Sequence, residues 1–353
     1  MVKLGLIAFA NDGGLGAQTR RLSQILNPDR ILLIDSSSFS PNKTLHYEWY
    51  PADKSFVASS WPPSNQDMLT FMEGLTHILV CENPYNFALI HYAKQKGIKV
   101  FIQSNYEFCE NIVQPWLPTP DLFLMPSYWK IVEMEKLFGR QNVRYLPPPM
   151  EPKEFTSALE KNLERRGKKR FVHVIGTGAA EDRNGTFDVL DAMKLSKGDF
   201  ELVIKSQHNL PMSLFLDDPR IKYDVANQIN QNDLYKDFDA MILPRRWGGL
   251  SLTMDEALMS GLPVIMTDIS PNKDYLPKGW LVSAKEEKPF RARIGLIDLY
   301  TVNHQELADK IDHFSRMSDE RMLEMKRSAF DIAMKNWSAE VLKPQYLELF
   351  NNR

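Results

Sequence analysis

Along the first half of the chain, short apolar runs alternate with stretches whose apolar positions recur at helical spacing. Runs at Leu4–Ala10, Ile31–Asp35, His77–Cys81, Val100–Gln103 and Leu122–Met125 predict buried strands, with helices at Gln18–Leu26, Asn86–Lys96 and Tyr128–Phe138. Strand–helix alternation at this spacing predicts a parallel sheet covered on both faces. The stretch "YLPPPMEPKEF" at 145–155 carries too much proline for a helix or a central strand and reads as an interdomain linker. Beyond it the alternation restarts, with strands at Phe171–Ile175, Phe200–Ile204, Ala240–Leu243 and Val264–Thr267. Helices are predicted at Gly185–Lys194, Gln231–Asp237, Thr253–Ser260 and His304–Met317, and Ser318–Phe350 reads as mostly helical. The fold class is therefore α/β, with two doubly wound domains: residues 1–150 and residues 151–336, plus a tail helix at about 337–353 that packs back on the first. Ligands of such sheets sit beyond the carboxyl ends of the strands, and two such domains facing each other make a cleft.

The length of 353 residues suits two domains better than one core. A formal net charge of −2 gives no global field toward nucleic acid or membrane, which leaves only local patches to consider. Two cysteines, Cys81 and Cys109, are too few for a disulfide framework, so a reducing, cytoplasmic setting is expected. The start, "VKLGLIAFAND", has an apolar run too short for a signal peptide and passes directly into a glycine loop. No apolar run approaches the ~18–20 residues of a membrane span.

Two segments carry candidate chemistry. "ANDGGLGAQTRRL" follows the first strand and opens a helix. Gly13, Gly14 and Gly16 let backbone approach a ligand, and the amides of Gly14, Leu15 and Gly16 at the helix start suit a phosphate. The spacing falls short of G-x-G-x-x-G and only Asp35 ends the next strand with an acid; a tight turn without a ligand is the other account. In "RWGGLSLTMDEALMSGLPVIMT", Arg246–Thr267, two glycines run into a short helix that stops at Gly261 before a strand begun by Pro263. Glu256 has two accounts. In one, Thr253 is the N-cap and Glu256 folds back to it as a capping box, worth about 1 kcal/mol. In the other, amides of Gly249, Leu250 and Ser251 face a diphosphate and Glu256 holds a ribose diol, each charge-assisted bond worth about 1.5–3 kcal/mol.

The stretch "DLYKDFDAMILPRRWGGLSLTMDEALMSGLPVIMTD" resembles the donor-binding segment of family-4, GT-B-fold retaining glycosyltransferases. That segment has an aspartate before an apolar strand ending in proline, then Glu-Gly-Phe-Gly, two glutamates with seven residues between them, and Ala-x-x-x-Gly-x-Pro-Val-Ile. Asp239, Pro244, Gly249, Glu256, Ala257, Gly261, Pro263, Val264 and Ile265 fit it in order. "GGLGAQTRR", "DLFLMPSYWKIVEMEKLFG", "VRYLPPPMEPKEF" and "VHVIGTGAAEDRNGTFDVLDAM" resemble further parts of the family, so the resemblance spans most of the chain. It implies two Rossmann-like domains and a nucleotide sugar, a UDP-sugar, bound mainly by the second. It also implies retention at the anomeric carbon, a hydroxyl acceptor, and no cofactor or required metal. It assigns Glu256 to the ribose and the amides of Gly249–Ser251 to phosphate or sugar.

The chain departs from the family at several positions. Gly248 stands eight positions before Glu256, where an acid that contacts sugar hydroxyls is expected. Thr177 or Gly178 stands near the family's arginine and Asn184 at its lysine, which leaves Arg183 and Lys205, with Arg245 or Arg246, as diphosphate candidates against the account of solvated surface charges. Where the family often has a histidine the chain reads "FIQSNYEFCE", so Gln103, Asn105 or Glu107 is the acceptor-side candidate. Asp237-Phe238-Asp239 imitates a metal-binding D-x-D but sits between helix and strand, and reads as punctuation. The seven histidines show no metal-ligand spacing. The run Arg165, Arg166, Lys168, Lys169, Arg170 is a solvated link or, with Arg20, Arg21, Arg245, Arg246, Arg291 and Arg293, a surface for nucleic-acid phosphates. Without its first glutamate the donor segment resembles phage-encoded glycosyltransferases more than cell-wall enzymes, and some phage transferases glycosylate hydroxymethylated pyrimidines in DNA. Three readings follow: a transferase acting on modified DNA in a host cytoplasm, one acting on a cell-surface glycan or small molecule, and a non-catalytic nucleotide- or glycan-binding relative.

Overall fold

The structure, a computed structural model, describes residues 1–38, 44–176, 182–226, 231–292 and 294–352, without the side chains of 231, 232 and 352. The chain forms two compact units: Met1–Glu151 with Ala292–Gly295 and Ala339–Arg353, and Pro152–Arg291 with Leu296–Ser338.

The first unit runs β1 (Leu4–Phe9), α1 (Gly14–Leu26), β2 (Arg30–Ile34), β3 (Ser55–Val57), α2 (Asn65–Phe71), β4 (His77–Cys81), α3 (Ala88–Gln95), β5 (Lys99–Gln103), α4 (Glu110–Val113), β6 (Leu122–Met125), α5 (Ile131–Phe138) and β7 (Val143–Tyr145). The strands form one sheet in the order β3-β2-β1-β4-β5-β6-β7, and every neighbouring pair is parallel. Every residue of β1, β4 and β6 is buried, because helices cover both faces of a parallel sheet and leave no solvated side to alternate with.

The second unit runs α6 (Thr156–Glu164), β8 (Arg170–Gly176), α7 (Thr186–Leu195), β9 (Glu201–Ser206), β10 (Ile221–Val225), α8 (Gln231–Tyr235), β11 (Ala240–Leu243), α9 (Leu252–Met259), β12 (Val264–Thr267), α10 (Asn272–Tyr275), β13 (Leu281–Val282), β14 (Ala284–Ala292), β15 (Gly295–Val302), α11 (His304–Ser315) and α12 (Asp319–Trp337). Its main sheet has the order β10-β9-β8-β11-β12-β13, again all parallel, while β14 and β15 pair as a separate two-stranded sheet. The chain ends in α13 (Ala339–Asn352), which belongs to the first unit. There Tyr346 and Phe350 are buried, and the Phe350 ring lies 5.6 Å from that of Phe101 on β5.

The fold class is the expected one, α/β with two parallel doubly wound sheets. β4, β6, β11 and β12 fall on the predicted residues, and the other central strands differ by one or two residues at an end. The edge strands β3, β7, β10 and β13 and the pair β14–β15 were not predicted. The boundary between the two units, Glu151 and Pro152, falls within the proline-rich stretch, much of which is packed rather than solvated. Residues 146–150 are buried, the Leu146 and Pro147 carbonyls accept hydrogen bonds from Gln103 and Tyr346, and Phe155 is fully buried. No helix among the described residues is long and apolar enough to cross a membrane. Among them, no group of three or more His, Cys, Asp or Glu is placed to hold a metal ion.

Candidate functional site

The second sheet reverses its strand order between β8 and β11, and ligands of such sheets gather beyond the carboxyl ends of those two strands. β8 leads into 177–181, so Thr177 and Gly178 lie outside the described residues. β11 leads through Pro244 and the two glycines to α9. The N-cap of α9 is Ser251, whose Oγ accepts from the Met254 amide at 3.4 Å. This corrects the capping box expected at Thr253: that residue lies inside the helix, and Glu256 does not fold back to it. The Glu256 carboxylate instead accepts a hydrogen bond from the Tyr235 hydroxyl at 2.7 Å, with Tyr235 and Glu256 0% and 5% exposed.

The loop before α9 is held from one side by two arginines. Arg183 Nη2 donates to the Gly248 carbonyl at 2.8 Å; Arg245 donates to the same carbonyl at 3.3 Å and to that of Leu250 at 3.2 Å. Gly249 sits at φ 100°, a conformation open to glycine and strained for other residues. The amides of Gly249, Leu250 and Ser251 hold no hydrogen bond among the described residues. Arg183 reaches the loop because the chain before α7 comes up against β11. A Cβ on Gly185 would lie 2.2 Å from the Pro244 carbonyl oxygen, and the Arg246 amide donates to the Arg183 carbonyl at 3.0 Å. The Arg183 guanidinium also lies over the Trp247 ring at 5.3 Å. The first amides of α7 are already taken, since the Asp182 carboxylate accepts from Thr186 and Phe187, both at 2.8 Å.

The structure gathers Arg183, Arg245, Gly248, Gly249, Leu250 and Ser251 in this loop, and holds Glu256 one turn into α9. It does not bring Lys205 or Arg246 to the loop's carbonyls. Lys205 on β9 donates to the Asp233 carbonyl at 2.7 Å and pairs with Asp224, and burial lowers its pKa. The Arg246 side chain turns to the β14–β15 pair, bonding the Tyr300 carbonyl and the Glu287 carboxylate. Asn184 holds the Val174 and Ile175 carbonyls at the end of β8.

The basic run lies at the other end of the sheet, before and at the start of β8, and its charges are taken up within the unit. Arg165 pairs with Asp237 and Asp239, Lys168 with Asp199, Lys169 with Asp319, and Arg170 with Glu201 and Asp237. Arg166 donates to the Leu163 and Arg165 carbonyls. Asp239, read as punctuation, is a buried hub: it also accepts from Lys326 of α12 at 2.7 Å. Arg293 lies outside the described residues.

In the first unit the strand order reverses between β1 and β4. The amides of Gly14, Leu15 and Gly16 open α1 and hold no hydrogen bond among the described residues, since the helix's first backbone bond is from Ala17 to Gly13. Gly16 answers to packing rather than to a ligand's approach, because a Cβ there would lie 1.7 Å from the Asn11 carbonyl oxygen. Gln103 is a core strut. It accepts from Gln18 at 2.5 Å and donates to the Leu146 carbonyl and the Tyr346 hydroxyl. Asn105 is buried and donates to Glu82 at 3.4 Å, while its Oδ1 has no partner among the described residues. Glu107 is buried in the following 3-10 turn. Glu82 and Tyr85 beside them both have left-handed backbone, φ 63° and 57°, and the Tyr85 hydroxyl donates to Glu82 at 3.1 Å. Burial and the Glu82 charge push the Tyr85 pKa up. Sequence reasoning missed Tyr235 and Glu82; neither lies in a spacing that marks it.

No protein-family model and no curated protein matches the sequence. Solved structures do match its fold. Sucrose-phosphate synthase of Thermosynechococcus elongatus is 12% identical with a TM-score of 0.70, over 100% of this chain and 99% of that one. A glycosyltransferase of Rickettsia africae is 13% identical with a TM-score of 0.69, over 99% and 98%. Anabaena HepE, solved in complex with UDP-glucose, is 11% identical with a TM-score of 0.68, over the whole of both chains. The two parallel doubly wound units of this chain are thus the fold of known GT-B glycosyltransferases.

Proposed function

We propose that the protein is a glycosyltransferase that takes a sugar from a nucleotide-sugar donor, a UDP-sugar, and transfers it with retention to a hydroxyl acceptor. The observation that carries the reading is in the second unit: unbonded amides at Gly249–Ser251 stand one helical turn before the buried carboxylate of Glu256, at the strand-order reversal. Open amides beside two guanidiniums favour a diphosphate, and a carboxylate fixed by Tyr235 accepts from the two hydroxyls of a ribose. The UDP-glucose bound to HepE and the family-4 resemblance of the donor segment support the same donor.

Catalysis is then mainly positioning and charge stabilisation. The loop amides, with Arg183 and Arg245 behind them, oppose the charge that grows on the departing diphosphate, and Glu256 fixes the nucleoside and through it the anomeric carbon. Asn105 and Glu107 are the acceptor-side candidates of the first unit, with Glu82 added to them. Hydroxymethylated DNA as acceptor rests on the resemblance to phage enzymes, since Arg165, Lys168, Lys169 and Arg170 of the basic run are engaged in ion pairs within the second unit.

Thermal unfolding with a panel of nucleotides tests the donor. UDP at 100 times its Kd adds about 2.7 kcal/mol, a shift of several degrees, and Glu256→Ala removes most of it. No shift with any nucleotide in the wild type defeats the reading. A labelled UDP-sugar offered glycans, small alcohols and hydroxymethylated DNA at low salt then identifies the acceptor, and the anomeric configuration of the product tests retention. Binding without transfer to any acceptor class favours the non-catalytic relative.

A further inference from the structure

We propose that Arg183 and Arg245 are positioning residues of the donor site, which set the direction of the amides that receive the diphosphate. The inference rests on the donor reading above and adds to it the device that shapes the loop. In a planar trans peptide the C=O and the following N–H point opposite ways. The Gly248 carbonyl shares its peptide with the Gly249 amide, and the Leu250 carbonyl shares its peptide with the Ser251 amide. Both carbonyls are drawn to the Arg245 guanidinium, and Gly248's also to Arg183. The amides of Gly249 and Ser251 are therefore both turned to the side of the loop away from Arg245, and both are unbonded there.

Three features make this a built arrangement. Arg245 is 4% exposed, so its guanidinium is fixed by its surroundings. The left-handed φ of Gly249 turns the chain between Gly248 and Leu250, so that the carbonyls of both reach one guanidinium. Gly185 allows the chain carrying Arg183 to close on Pro244. Position 248, where the resemblance expects a carboxylate, serves through its main-chain carbonyl. The two guanidiniums also stand behind the amides as positive charge, so both contributions act on an anion and neither acts on a neutral nucleoside.

That difference gives the test. Binding of UDP and of uridine is measured by calorimetry for the wild type, Arg183→Gln and Arg245→Lys, with thermal unfolding recorded for each. The expected result is UDP affinity at least tenfold weaker in each folded variant, with uridine affinity within twofold of the wild type. UDP affinity unchanged in a folded variant overturns the inference, as does an equal loss for UDP and uridine. If Arg245→Lys does not fold, the half-buried Arg183 decides alone. A wild type that binds neither probe overturns the donor reading itself, a result distinct from wild-type binding that the variants leave intact.

Discussion

Glu256 was legible in the sequence because it sits at a fixed distance from two glycines and a proline-led strand. Its direction was not. The capping-box rule looked three residues back to Thr253, whereas the partner that holds the carboxylate is Tyr235, twenty-one residues away on α8. A fully buried hydroxyl needs an acceptor, and Glu256 supplies it. The local rule lost to a tertiary contact. Tyr235→Phe removes a hydrogen bond to a charged group without opening a cavity, a loss of about 1.5–3 kcal/mol in how firmly Glu256 is held. On the ribose assignment, UDP and uridine then weaken by a similar factor, roughly 10-fold or more. Calorimetry with both ligands checks this. Uridine affinity unchanged in this variant would remove Glu256 from the ribose.

At the scale of elements, what the sequence showed tracks burial. Central strands are continuous apolar runs and were found almost to the residue. The edge strands β3 and β10 are half exposed, with burial mixed along them, and their short runs of Ser, Lys, Tyr and Asp give no such signal. β14, "AKEEKPFRA", is exposed over most of its length and carries a proline, so neither alternation nor apolar content marks it. His173 shows the same limit from inside. It lies fully buried on β8, with Nδ1 against the Ile242 carbonyl of β11 and Nε2 against the Thr186 hydroxyl of α7. Its burial lowers the imidazole pKa, so the ring stays neutral and ties two strands to a helix start. The unfolded chain then takes up a proton as pH falls below about 6.5 while the folded chain does not, and stability declines from there down to the lowered folded value by up to about 1.4 kcal/mol per pH unit. Thermal melts between pH 7.5 and 5.5 should fall less steeply for His173→Gln than for the wild type. Parallel slopes would place the acid sensitivity elsewhere.

Across the whole molecule, long-range partners decide what composition left open. The basic run reads as a surface because its acids lie far along the chain: Asp237 and Asp239 meet it where β11 pairs with β8, and Asp319 where α12 begins. The return of the last helix to the first unit has the largest consequence. The Ala339 amide bonds the Met150 carbonyl at 2.7 Å, and Tyr346 joins Gln103 to the Pro147 carbonyl, closing a polar network that reaches α1 through Gln18. Leu342, Tyr346, Leu349 and Phe350 are each at most 3% exposed. At roughly 1.5–3 kcal/mol for each side chain taken out of water, their burial is comparable with the whole stability of a typical domain, about 5–15 kcal/mol. A chain ending at Ser338 should therefore lose the fold of its first unit while the second, whose sheet and helices are complete without α13, keeps its own. Limited proteolysis followed by mass spectrometry reads this directly: cleavage spreads through residues 1–151 and a fragment of about 152–338 survives. Tyr346→Phe is the milder probe. It keeps the ring and takes the hydroxyl from Gln103 and Pro147, and should lower the stability of the first unit by about 1–3 kcal/mol. Equal resistance of both units in the truncated chain would mean that α13 covers a sheet already stable without it.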